Sequence, residues 1–197
     1  MTVPTLMQNH QKKTYVTQLH KGYNIVSQAV LQVMTDKNAL SIKEAGLTTL
    51  DAVDSWVKTY FKVVKDCGTS GTDCFAVGEY KKMDGSVMDS LFTDSNRLYY
   101  VLADGTAICF SLYSKGIQIN LDINGKKGPN IIGRDLFPLL IYDDGLVDDY
   151  DNKGGKPPFT KEQREAAFKD YCNNGSTNTV WWGCAGKIIS DGWEMNY

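Results

Sequence analysis

At 197 residues the chain fits one folding unit, since single cores commonly hold about 100 to 200 residues. An apolar share of 42% against 22% charged excludes an intrinsically disordered chain, which carries fewer apolar residues and more net charge. The 21 Lys and Arg nearly balance the 23 Asp and Glu, so the formal charge of -2 supplies no basic field for a phosphate backbone and argues against nucleic acid as a partner.

No run of about 18 apolar residues occurs, and no complete signal peptide precedes the first helix. The opening is unusual all the same. Met1-Thr2-Val3-Pro4-Thr5-Leu6-Met7 is apolar and passes at once into the polar, basic Gln8-Asn9-His10-Gln11-Lys12-Lys13, as a membrane helix does at its exit. From Thr5 to about Val33 only Gly22 interrupts a run free of glycine and proline, with Val16, Leu19, Tyr23, Val26, Val30 and Val33 at steps of three and four. This predicts one amphipathic helix longer than about 40 Å at about 1.5 Å per residue. Ser41-Ile42-Lys43-Glu44 has the form of a capping box and predicts a short helical turn ending at Gly46. A second helix is predicted from Leu50, Val53, Val57, Tyr60 and Val64, capped by Thr48 or Thr49 and ended by Cys67-Gly68.

Beyond a Gly/Asp-rich stretch the period changes to two. Arg97 to Leu102 and Thr106 to Tyr113 flank Asp104-Gly105, a hairpin-turn dipeptide. Ile117, Ile119, Leu121 and Ile123 alternate with Gln118, Asn120, Asp122 and Asn124, which predicts an antiparallel strand with one wet face. Leu136 to Tyr142 is a further strand, in which Pro138 points to an edge or a bulge. Asp143 to Pro158 reads as an acidic loop. Thr160-Lys161-Glu162-Gln163 then opens a short helix ending near Tyr171-Cys172, and Thr179 to Tyr197 is compatible with one or two final strands. Helices first and a meander after them give an α+β architecture, with the long helix on the apolar face of the sheet.

The five cysteines fall into two local pairs and a remainder. Cys67 and Cys74 flank a Gly/Ser/Thr turn segment, Cys172 and Cys184 flank a polar loop, and Cys109 sits in the apolar run Ala107-Ile108-Cys109-Phe110. Spacing favours bridges Cys67–Cys74 and Cys172–Cys184 with Cys109 free, one of about fifteen two-bridge connectivities, and with it an oxidising compartment. A zinc site needs four grouped Cys or His ligands, and His10 and His20 lie far from these cysteines.

Three stretches together resemble the type IV pilins and type II secretion pseudopilins. Met1-Thr2-Val3-Pro4-Thr5-Leu6, followed by a polar helix, is similar to the second half of the prepilin-type N-terminal helix, with Pro4 at the place of its kinking proline. The others are Asp122-Ile123-Asn124-Gly125-Lys126-Lys127-Gly128-Pro129-Asn130 with Gly133-Arg134-Asp135, and Cys184-Ala185-Gly186-Lys187-Ile188-Ile189 with Asp191-Gly192-Trp193-Glu194-Met195. The resemblance implies a pilin-like α+β fold in which a long N-terminal helix packs on an antiparallel sheet beside a disulfide-closed C-terminal loop. Residues 1–35 would form the spine helix and 36–197 the globular head, packed with it as one domain. The family's peptidase site, methylated aromatic N-terminus and assembly glutamate do not occur in the chain. The resemblance therefore places about half of the membrane helix upstream of Met1, whether Met1 is a boundary or an internal Met.

The implied function is that of a filament subunit and not an enzyme. It would polymerise with other pilin or pseudopilin subunits, in a homo- or hetero-polymer, through its N-terminal helix. The upstream segment would hold it in the inner membrane with the head in the periplasm, or the head would be carried outside on a pilus; the chain as it stands is expected to be soluble. The alternative is a minor pilin acting as an adhesin or binding module for glycan, DNA or a secreted substrate.

Among candidate sites, Asp122, Asn124, Asn130 and Asp135 offer the carboxylate and amide oxygens around a tight turn that calcium takes, without the glutamate and spacing of an EF-hand. Asn-Gly and Gly-Pro-Asn are also ordinary turn chemistry. Asp143, Asp144, Asp148, Asp149 and Asp151 form a second acidic group, expected to be a solvated loop. Trp181, Trp182 and Trp193 suit buried area better than a sugar platform. His10 and His20 are expected at the surface, without a nucleophile motif beside them.

Overall fold

The computed structural model describes residues 3–150, 155–172 and 182–197. Helix α1 (Val3–Asp36) runs 34 residues, beginning two residues before and ending three after the predicted span. Its buried stripe is Tyr15, Val16, Leu19, Val26, Ala29, Val30 and Val33, with Tyr23 packed against it. Pro4 stands in the first helical turn, where a missing N–H costs no hydrogen bond. The turn after α1 forms as expected: the Glu44 N–H donates to Ser41 Oγ at 3.1 Å, the Leu40 N–H to Glu44 Oε2 at 2.8 Å, and Gly46 closes it at φ 90°.

Helix α2 (Leu50–Tyr60) is capped by Thr49, whose hydroxyl accepts from the Ala52 N–H at 3.2 Å, and buries Val53, Trp56 and Val57. It stops seven residues short of Cys67. Val63–Asp66 is instead strand β1, in which Val64 is 65% exposed. The buried face of α2 ends at Val57, and beyond Phe61 the backbone is extended and pairs with Leu102, Val101 and Tyr100.

Strands β2 (Leu98–Leu102), β3 (Ala107–Tyr113), β4 (Gly116–Asp122), β5 (Leu136–Tyr142) and β6 (Val147–Asp148) complete a six-stranded antiparallel meander in the order β1-β2-β3-β4-β5-β6. The face carrying Tyr100, Phe110, Ile119, Leu121 and Leu139 takes the two helices. Trp56 meets Phe110 edge-on at 5.6 Å and donates to the Ala29 carbonyl at 3.1 Å. Gly22 brings α1 onto Leu121, whose Cδ1 would stand 3.3 Å from an added Cβ.

The face expected to be wet is covered. Every residue of β4 is buried, including Gln118, Asn120 and Asp122. Part of the cover comes from the loop between β1 and β2, whose Phe75 and Phe92 pack on Tyr99 at 5.8 and 6.3 Å. The rest is a cluster of Leu140, Tyr142, Tyr150, Phe159 and Trp182. Pro138 lies opposite Asn120 of β4, while β6 pairs only with Leu140 and Ile141, so this half of β5 is an edge as its proline requires.

After β6, helix α3 (Lys161–Ala167) opens with the Thr160 and Gln163 capping box and continues as a π-helical turn, Phe168–Cys172. The final strands are replaced by helix α4 (Cys184–Ser190). Its residues Cys184, Ala185 and Ile188 follow a helical spacing inward, and Cys184 is held by its bridge. Among the described residues no helix is long and apolar enough to cross a membrane.

Candidate functional site

Both local disulfides form, Cys67–Cys74 and Cys172–Cys184, and Cys109 is free and fully buried. Burial raises the Cys109 thiol pKa, so it acts as a small apolar group in β3. The bridges agree with an oxidising compartment.

The second and third of the motif stretches, separate in sequence, meet at one end of the sheet. Gly133, at φ +85°, lies under the Cys172–Cys184 bridge, where an added Cβ would sit 2.6 Å from Cys184 Sγ; only glycine fits. The Tyr197 hydroxyl donates to the Gly133 carbonyl at 2.8 Å. Trp193 stacks on exposed His20 of α1, with ring centroids 3.9 Å apart, and stands edge-on to Tyr23 at 5.2 Å. The C-terminal segment thus ties the β4–β5 connection to the first helix.

Within that connection the four predicted oxygen ligands come together. Asp122 and Asp135 are both fully buried. Asp135 accepts from the Asn130 N–H at 2.8 Å and the Ile131 N–H at 2.6 Å. Asp122 accepts from the Asn124 N–H at 3.3 Å and from the Tyr80 hydroxyl. Asn124 Nδ2 donates to the Gly128 carbonyl at 3.2 Å, and Asn130 Nδ2 to Glu79 Oε2 at 3.3 Å. Burial pushes the Asp122 carboxyl up to about 8; the Tyr80 bond opposes this and the Asp135 charge adds to it. Asp135 is raised by burial against the pull of its two N–H donors. Tyr80 gave no periodic signal in a Gly/Asp-rich segment, and the sequence reading missed it.

The second acidic group is not the solvated loop expected. Asp143 remains partly exposed and pairs with Lys43 at 3.3 Å, and Asp144 caps its own turn through the Leu146 N–H at 3.1 Å. Asp148 and Asp149 are buried. Asp148 holds Arg164 of α3 through two bonds of 2.6 Å. Asp149 accepts from the N–H groups of Gly186 at 2.7 Å and Gly183 at 3.0 Å, at the start of α4, and from Tyr150 at 2.7 Å. Asp151 and Trp181 lie outside the described residues.

Trp182 is buried in the second cluster and Trp193 is committed to α1, so these two form no shared sugar platform. His10 is exposed, and among the described residues no three His, Cys, Asp or Glu side chains gather as a metal site. The chain matches no family model, no curated protein and no solved structure.

Proposed function

We propose that this protein is a structural subunit of an extracytoplasmic filament, of the type IV pilin or type II secretion pseudopilin kind, and not a catalyst. The observation that carries this reading is the seating of α1. Its buried stripe begins only at Tyr15, while Met7 to Gln11 are exposed, so the helix lies along the sheet with its second part and projects with its first. A spine of that form gives neighbouring subunits a helix to pack on without disturbing the head. The meander and the Cys172–Cys184 closure of the C-terminal segment suit such a head. The helix would be continued upstream by an apolar segment held in the inner membrane, with the head on its outer side. The experiment is to shear surface filaments from the source cells, identify their subunits by mass spectrometry and label them with antibody to residues 36–197. Label along the filaments is expected. Recovery only as free secreted monomer overturns the reading.

A further inference from the structure

Cations that lie far apart in the sequence gather at the end of the molecule from which the first turns of α1 project. Lys12 and Lys13 of α1 wall a cleft against Trp193, Glu194 and Met195 of the C-terminal segment. That segment reaches the β4–β5 connection through the bond from the Tyr197 hydroxyl to the Gly133 carbonyl, and Arg134 beside it lies within electrostatic reach of Tyr15 in α1. The same connection carries Lys126 and Lys127. Lys81 is held against it from the loop between β1 and β2: its N–H donates to the Asn130 carbonyl at 2.9 Å, and its carbonyl accepts from the Ile132 N–H at 3.0 Å. Lys12 is half-buried and the other five are exposed, and none of the six forms an ion pair among the described residues. The exposed carboxylates on these segments, Glu79, Asp84 and Glu194, are half as many. Helix α1 adds none, since its first acidic residue is Asp36 at the far end. The net charge of -2 conceals this excess, because the fold and not the composition segregates the charges.

We propose that this end of the molecule docks on an anionic phospholipid surface. Unpaired like charges repel one another, and a plane of phosphates turns that repulsion into attraction. A cluster of about four to eight Lys or Arg is the footprint by which proteins hold anionic lipid, each cation adding roughly fivefold to the partition. The apolar opening of the chain favours lipid over nucleic acid. Met7 is 68% exposed and stands one and a half turns before Lys12, about 7.5 Å along the helix. An apolar side chain so placed can enter the acyl boundary while the ammonium groups stay with the phosphates. Trp193, the aromatic ring of the cleft, is already stacked on His20, which leaves it poorly placed to stack on bases. The orientation rests on the filament reading, in which α1 continues upstream into the membrane; the binding itself does not.

The test sediments the whole chain with vesicles of phosphatidylcholine alone, or of phosphatidylcholine with about one third phosphatidylglycerol, at low salt. No filament enters the assay, so its failure and the failure of the filament reading are separate results. Partition onto the anionic vesicles is expected to exceed that onto the neutral ones about a hundredfold, and to fall as added salt shortens the Debye length. Lys126→Glu with Lys127→Glu, and separately Lys12→Glu with Lys13→Glu, should each lower it about tenfold or more. Lys37→Glu with Lys115→Glu makes the same change in net charge at the opposite end, after the last turn of α1 and in the β3–β4 turn, and should leave it within about twofold. Equal partition onto the two kinds of vesicle overturns the proposal. An equal loss in all three double variants also overturns it, because net charge and not this surface would then be acting. Duplex DNA that strips the chain from the vesicles at equal phosphate concentration would assign the surface to nucleic acid and overturn the lipid assignment.

Discussion

Asp148 and Asp149 adjoin each other, are both buried, and meet burial in opposite ways. Asp148 has an arginine, whereas Asp149 has only backbone N–H groups from Gly183, Gly186 and Tyr150. Burial pushes the Asp149 carboxyl up to about 6 against those donors, and the Asp148 charge adds to the push. A carboxyl that holds its proton more tightly folded than unfolded leaves the native state with the extra proton between about pH 4 and about pH 6, so its contribution falls as pH rises through that window and is level above it. The full amplitude is about 3 kcal/mol for a shift of about two pH units. Urea unfolding across this range should show that fall, and Asp149→Asn should flatten it. An unchanged slope in the variant would show that Asp149 is ionised throughout and that its N–H donors outweigh burial.

At the scale of elements, Arg164 makes α3 part of the structure. This seven-residue helix is too short to stand alone, and its buried guanidinium grips Asp148 of β6. Arg164→Leu should cost about 3 to 5 kcal/mol in urea unfolding, because it leaves Asp148 buried and unpaired. Adding Asp148→Leu should recover a large part of that loss. If the double variant loses as much as the two single variants summed, the pair is not coupled. Elements with a clean period were legible: the stripe of α1, the Asp104-Gly105 hairpin, the Thr160 capping box and both disulfides all lie where the spacing put them. What the sequence hid was burial on the second face of the sheet. The alternation of Gln118, Asn120 and Asp122 looks like a wet face, because its cover comes from a loop whose aromatic residues, Phe75, Tyr80 and Phe92, follow no period. The C-terminal helix was hidden for a related reason. Seven residues give fewer than two full turns of pattern, and Asp149, which satisfies its first N–H groups, lies far away in sequence. Asp122, Asn124, Asn130 and Asp135 were legible as a turn composition, but Tyr80 beside Asp122 was not.

For the whole molecule, the rest of the fold buries the stripe of α1 from Tyr15 to Val33, while Met7 and Leu31 stay exposed. Val16, Leu19, Val26 and Val30 are buried within the chain, and each fully buried side chain of this kind is worth about 1.5 to 3 kcal/mol. A self-association that used this stripe would have to unseat the helix. The 197-residue chain should therefore sediment as a monomer at micromolar concentration in analytical ultracentrifugation. A tight dimer protected at Val16, Leu19, Tyr23 and Val26 in hydrogen exchange would mean that the helix prefers a second copy of itself to the sheet, and the filament reading would lose its main support.

The two rims of the meander are built to refuse a further strand. At one rim, β1 carries a bulge between Val63 and Lys65, and its last residues are charged and tied into pairs, Lys65 with Asp73 at 3.8 Å and Asp66 with Lys58 at 2.9 Å. At the other rim, β6 offers only two residues. A twisted, charged edge and a very short one are both poor templates for strand addition, the usual route by which an open sheet recruits its neighbours into aggregates. A molecule with such rims can be crowded against many copies of itself without its sheets fusing.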